Sequence, residues 1–262
     1  MVFVNHVHLM PAWVREDATP AAFDRLADGL GIDAAVCFAP FSYQTAGRVD
    51  PIRWLADEIA GRADRVGYGT LDPARDPVDQ VAAIADLGFP GIKLHPPAQH
   101  FHIFDDWSRR AYAAMEKRGL IADFHLGVHW HRLRDYDPLL CDEIAHAFPG
   151  LRMVFEHVGG WHYYRQVLAV IVNNQGRGNH LYAGIASVLD RENQRYWYLG
   201  AEGVEDCRWQ IGYERLIYGL DFPYNQREAI ARDLAVLRGL PWPEAERDAV
   251  LGGNLSRLVR RG

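Results

Sequence analysis

Short apolar runs alternate with helical stretches from one end of this chain to the other, and that alternation limits the fold more than any other feature. The runs fall at residues 2–8, 33–40, 65–71, 89–95, 120–127, 151–157, 180–187 and 215–219. Between them lie helical patterns at 52–61, 77–87, 105–118, 138–147 and 164–173, one ending near Gly212, and two more in the tail from Gln226. The first helix is the most explicit. Thr19 stands as N-cap, Pro20 takes the first turn, Phe23, Leu26 and Leu30 share a face, and Gly31 stops it. Strands separated by helices pair in parallel through crossovers. The runs are nearly continuous in apolar residues, as strands covered on both faces are. Eight such units in 262 residues, with no Pro/Gly/Ser linker, predict an α/β fold: one (β/α)8 TIM barrel over residues 1–262. A doubly wound open sheet is the alternative, but no glycine-rich phosphate loop follows the first run.

Composition narrows the partners. With 28 basic and 34 acidic residues the net charge is −6, so nothing offers to neutralise a phosphate backbone, and nucleic acid is not an expected partner. No apolar run approaches the ~20 residues that span a bilayer. Nor does the N-terminus have the basic start and small-residue cleavage site of a signal peptide. Cys37, Cys141 and Cys207 are scattered and odd in number, without a disulfide or zinc spacing. The chain reads as cytoplasmic, with a small molecule as its ligand.

In such a barrel the chemistry sits where strands end. The first run closes on Asn5-His6-Val7-His8, and period-two alternation puts His6 and His8 on one face. The fourth closes on Lys93-Leu94-His95, the fifth on His125, the sixth on Glu156-His157-Val158-Gly159-Gly160, and the eighth on Leu220-Asp221-Phe222-Pro223. Any one of these has a plain explanation as a core histidine, a turn or a tight loop. Four of these histidines, His6, His8, His125 and His157, together with Asp221, all at strand exits, are harder to assign to chance. Neutral imidazole and carboxylate suit zinc, manganese or iron. Three or four protein ligands with one position left to water make a catalytic site.

These segments, together with Gly91-Ile92-Lys93-Leu94-His95-Pro96 and the closing Gly253-Asn254-Leu255-Ser256-Arg257-Leu258, occur in the order seen in the amidohydrolase superfamily. The chain resembles its branch containing aminocarboxymuconate-semialdehyde decarboxylase and related hydrolases. The resemblance implies one divalent ion, zinc first, on His6, His8, His125 and Asp221. His157 would be a catalytic group polarising a substrate oxygen or orienting water, Asp221 would also shuttle a proton, and the chain would form a homodimer. In two-metal relatives a lysine of the fourth strand is carboxylated and bridges the ions; Lys93 either does this or, with His95, meets a substrate carboxylate. Leu220 stands where many relatives have Ser, and the aromatic-rich stretch 193–203 matches nothing in the pattern.

The leading expectation is a metal-dependent hydrolase of an amide, ester or lactone. The alternative is a nonoxidative decarboxylase of an unsaturated or aromatic acid, with Arg132 or Arg134 gripping a carboxylate. A metal-independent lactonase or a non-catalytic barrel is the third reading. Trp13, Tyr43, Trp130, Trp161, Tyr163 and Trp197 fall in loops that could roof the site, with Trp161 the expected substrate contact.

Overall fold

The computed structural model describes residues 1–177 and 180–260. Nine strands, all parallel, lie in the order β8-β7-β6-β5-β4-β3-β2-β1-β9. They are β1 (Phe3–His8), β2 (Ala34–Phe38), β3 (Arg65–Thr70), β4 (Gly91–Leu94), β5 (Ile121–His125), β6 (Arg152–Glu156), β7 (Leu181–Gly184), β8 (Leu216–Ile217) and β9 (Gly219–Phe222). The last two form one stave interrupted at Tyr218. Its first half pairs with β7 and its second with β1, so the sheet comes round on itself as a (β/α)8 TIM barrel. The eighth run, predicted to end at Gly219, thus continues far enough to hold Asp221 inside a strand.

Helices start where the sequence marks them. Thr19 Oγ1 accepts from Ala22 N, Asp50 from Ile52 and Arg53 N, and Asp76 from Val78 and Asp79 N, each ahead of a proline at the first helical position. The helix after β6 begins at Gly160, four residues before the expected start, because the Gly159-Gly160 pair completes the turn within the strand exit itself.

Alternation divides the core in two. One set of strand side chains packs outward against the helices, among them Val4, Cys37, Ile92, Phe124 and Phe155. The other fills the lower barrel: Phe3, Val36, Phe38, Tyr68, Ile121, Val154 and Ile217, closed by Leu255 and Leu258 of the last helix, Asn254–Arg260. Above this apolar plug the interior turns polar, and there the site begins.

Candidate metal centre and cavity

Backbone irregularities aim the polar side chains. Along β1 the pairing steps from Val4↔Ala35 to Val7↔Cys37, one residue more on β1 than on β2. Against β9 it steps from Asn5↔Gly219 to Val7↔Phe222, one residue more on β9. These are bulges, which turn two consecutive side chains to one side. His6 and His8 do share the interior, as alternation predicts, but Asn5 joins them. His6, His157, Ser187 and Asp221 all have positive φ, between 55° and 63°. A non-glycine residue there costs of order 1–3 kcal/mol. Four such residues at one end of the barrel show stability given up for geometry.

The side chains converge. His6 Nε2 lies 3.1 Å from His8 Nε2 and 3.3 Å from Asp221 Oδ1, with His8 Nε2 3.9 Å from the same oxygen. His125 Nδ1 is 3.2 Å from His157 Nε2. Donor atoms of His6, His157 and Asp221 all lie within 4.8 Å of one another. Ligands ~2.0–2.2 Å from one ion stand ~3–4 Å apart, and the His6–His8, His6–Asp221, His8–Asp221 and His125–His157 spacings fall in that range; His125 also belongs to a second group, with His95 and His129, whose donor atoms lie within 4.8 Å of one another.

Backbone hydrogen bonds on the far side of two rings, His125 and His157, assign their tautomers. His125 Nε2 donates to Gly127 O at 2.8 Å, and His157 Nδ1 donates to Ala186 O at 2.9 Å. Their facing nitrogens, His125 Nδ1 and His157 Nε2, are therefore both lone pairs. His6 Nδ1 lies 3.0 Å from Glu156 Oε2, and its Nε2 faces His8 and Asp221. Acceptors that face acceptors repel unless a cation lies between them, so this donor set fits a divalent ion. The same tautomer bears on His157: a ring whose inward nitrogen carries no proton cannot polarise a carbonyl by donating to it.

Electrostatics agree with neutral, ligand-competent rings. Burial, then the Lys93 ammonium, holds His6 and His8 well below the ordinary histidine pKa. Burial, then neighbouring imidazoles, does the same to His125, and burial brings His157 to about 3. Asp221 is pushed up to about 6 by burial, against the pull of the Ser187 hydroxyl that donates to its Oδ2 at 2.9 Å. Asn225 Nδ2 in turn donates to Ser187 Oγ at 2.7 Å. With Leu220 preceding Asp221, the hydroxyl on this carboxylate comes from Ser187, in the segment that follows β7.

Beneath the centre runs a buried polar layer. Asn5 Nδ2 donates to Asp123 Oδ2 and Glu156 Oε1 at 2.8 and 2.5 Å, and Lys93 Nζ meets Asp123 Oδ1 at 2.9 Å. Lys93 is thus engaged with a carboxylate and lies over the Phe38 ring. Glu156 is driven well above the usual carboxylate range by burial and then by Asp123. These residues hold β1, β4, β5 and β6 in register under the site, and β7 has glycine at 184 because a Cβ there would lie 2.4 Å from Glu156 Oε2.

Above the centre opens a cavity of about 570 Å³. His95 lines it, stacked on His125 with centroids 3.9 Å apart and with Nε2 3.4 Å from His129 Nδ1. Burial pushes the pKa of His95 well down. Phe41, Tyr43, Trp197 and Tyr224 supply aromatic wall. Trp161 and Arg132 do not: Trp161 is 63% exposed outside the cavity, and Arg132 lies in a shallow neighbouring groove with Trp130 and Asp135. Trp161, in the first turn of the helix from Gly160, and Arg132, in the loop after β5, both turn outward, which residue type alone does not reveal.

The 193–203 stretch finds its explanation here. Trp197 stacks on His157, centroids 4.1 Å apart and planes at 25°, and its Nε1 donates to Val128 O at 2.9 Å. Gly160, at φ 61°, is glycine because a Cβ would lie 2.8 Å from this indole. Sequence reasoning overlooked Asn5, Ser187, Asn225, His129 and Tyr224. Only Asn5, beside the His6-Val7-His8 motif, carried a signal that could have been read.

A family model described as Amidohydrolase matches residues 12–261. No curated protein matches. Among solved structures, an uncharacterized TIM-barrel protein from Bordetella bronchiseptica is 18% identical, covering 99% of this chain and 98% of that one, with TM-score 0.78. A 5-carboxyvanillate decarboxylase from Sphingomonas paucimobilis is 16% identical over 99% and 98%, TM-score 0.72. A candidate 2-pyrone-4,6-dicarboxylic acid hydrolase from Pseudomonas putida is 16% identical over 99% and 97%, TM-score 0.72. At these identities the likeness is one of fold.

Proposed function

The chain belongs to the amidohydrolase family, and from that premise we propose a metal-dependent hydrolase acting on a carbonyl carbon of a small ester, lactone or amide. One observation carries the reading: His6 Nε2, His8 Nε2 and Asp221 Oδ1 stand 3.1–3.9 Å apart, beside the facing lone pairs of His125 and His157 at 3.2 Å. His6, His8, His125 and Asp221 would hold a single divalent ion, with His157 turned to the same point as a further donor. Such an ion supplies a Lewis acid that acidifies water and polarises a carbonyl.

The protein's own groups do the rest. Glu156, behind His6, and the carbonyls of Gly127 and Ala186, behind His125 and His157, fix the rings, an outer shell that typically matters 10–100-fold. Asp221 has one oxygen tied to Ser187 and the other at the centre. It can take a proton from attacking water and return it to the leaving group. The cavity wall orients the substrate over this oxygen and excludes bulk solvent.

A decarboxylase is the second reading, favoured by the aromatic wall and by a structural neighbour that decarboxylates 5-carboxyvanillate. One experiment separates them: protein of known metal content is offered esters, lactones, amides and unsaturated acids, with acid release and carbon dioxide followed in parallel. Acid release without carbon dioxide is expected. Carbon dioxide from an unsaturated acid would transfer the reading to the lyase.

A further inference from the structure

The three residues that leave the barrel after β7 touch the centre at more than one point. Ile185 N still donates to Ile217 O of β8 at 2.8 Å. Beyond it, Ala186 O accepts from His157 Nδ1 at 2.9 Å. Val188 O accepts from Leu199 N and Gly200 N at 2.8 and 3.0 Å, which closes the loop that carries Trp197. Ser187, between them, turns its hydroxyl to Asp221. The segment lies close against the strands that carry the centre: a Cβ at Gly219 would stand 3.0 Å from Ala186 Cβ and 3.1 Å from His6 Cβ.

The direction of each hydrogen bond at Ser187 is forced. Asn225 Nδ2 lies 2.8 Å from Leu220 O, which can only accept, so the amide turns its nitrogen this way and not its oxygen. The same nitrogen donates its second hydrogen to Ser187 Oγ at 2.7 Å. The single hydrogen of the hydroxyl is then free for Asp221 Oδ2 at 2.9 Å. The backbone N of Asn225 donates to Asp221 O at 3.0 Å, so the turn after β9 is held by both main chain and side chain. Ser187, Asp221 and Asn225 are all buried. Ser187 also has φ 58°, where glycine is the unstrained residue. At such a position the serine is held against its own backbone preference, and its hydroxyl is what glycine would lack.

We infer that Ser187, held by Asn225, is a positioning residue of the metal centre: it pins Asp221 Oδ2 so that Oδ1 is the oxygen presented to His6 and His8, at 3.3 and 3.9 Å. The terminal torsion of a carboxylate is broad. Without the hydroxyl the group rotates, and no single oxygen stays aimed at the ion. The inference rests on the metal-dependent reading of the site and adds to it a determinant of ion affinity that lies outside the ligand set.

The test compares full-length wild type with Ser187→Ala and Ser187→Gly. Zinc affinity is measured by competition with a chromogenic chelator, and urea unfolding of the metal-free proteins is followed alongside. Outer-shell partners typically matter ~10–100-fold in ion affinity, and both variants should lose affinity on that scale and by similar factors. The glycine variant should nevertheless unfold at higher urea than the alanine variant, because a positive φ suits glycine. Affinity that follows the hydroxyl while stability follows the backbone is a separation that a merely structural serine would not produce. At saturating cobalt the visible absorption of the ion should also shift in both variants, since the oxygen facing it is no longer fixed. Wild-type affinity in both variants, affinity kept by glycine and lost by alanine, or an unmoved cobalt spectrum overturns the inference while leaving the metal centre in place. Wild-type protein that binds neither zinc nor cobalt removes the metal-dependent reading itself, and the inference with it.

Discussion

Asp233 makes the loop behind Trp197 dependent on pH. It sits on the helix Arg227–Gly239, fully buried. Gln194 Nε2 donates to its Oδ2 at 3.2 Å, while Oδ1 has no partner among the described residues. Burial raises this carboxyl from 3.8 to about 7, against the Gln194 bond. A raised acid binds its proton more tightly folded than unfolded. The native state therefore holds the extra proton between pH 3.8 and 7, and stability falls as pH rises through that window. The full shift corresponds to ~4 kcal/mol, at about 1.4 kcal/mol per pH unit. Asp233→Asn keeps an oxygen for Gln194 and removes the charge. Allowing for an amide that must find its own partner, the variant should be ~2–4 kcal/mol more stable than the wild type at pH 8 and no more stable at pH 4. Urea unfolding at both pH values reads this directly. A variant no more stable at pH 8, or a difference independent of pH, would refute the reasoning.

Asp221→Asn keeps a coordinating oxygen but cannot take a proton at neutral pH. Metal content should fall in part while turnover drops ~10²–10⁴-fold, and near-native turnover would remove Asp221 from the mechanism. His157→Asn should lower both bound metal and turnover, because its inward nitrogen is a lone pair. Retention of a full ion with turnover lost would instead make it a group acting on substrate. Gly160→Ala places a Cβ 2.8 Å from the Trp197 ring at φ 61°, ψ −173°, a conformation nearly reserved for glycine. A loss of ~2–4 kcal/mol in urea unfolding is expected, and an unchanged midpoint would show that the indole can move aside.

Much of this architecture was legible because local rules and the fold agree. The capped, proline-started helix after Thr19 and the apolar strand runs carry their periods openly, and parallel pairing follows from their alternation. His6, His8, His125 and Asp221 could be read because strand exits are where a barrel keeps its chemistry. Their aim could not. The bulges at His6 and Asp221 break the two-residue period, so Asn5 joins the interior and β9 runs on past Gly219. The tautomer of His157 depends on Ala186, 29 positions away, and the hydroxyl on Asp221 comes from Ser187 across the barrel closure. Trp197 and Trp161 are both aromatics beyond the ends of strands, and only the fold shows that one packs on the centre while the other, in the first turn of a helix, faces solvent.

The central claim is that facing lone pairs at the barrel mouth hold one divalent ion. Elemental analysis of protein purified without chelator tests it most directly, with the double variant His6→Ala/His8→Ala analysed alongside. The account predicts about one ion per chain, whether zinc, manganese or iron, and its loss from a variant that remains folded. Wild-type protein that hydrolyses its substrate fully while free of metal, or a double variant that retains the ion, would contradict it.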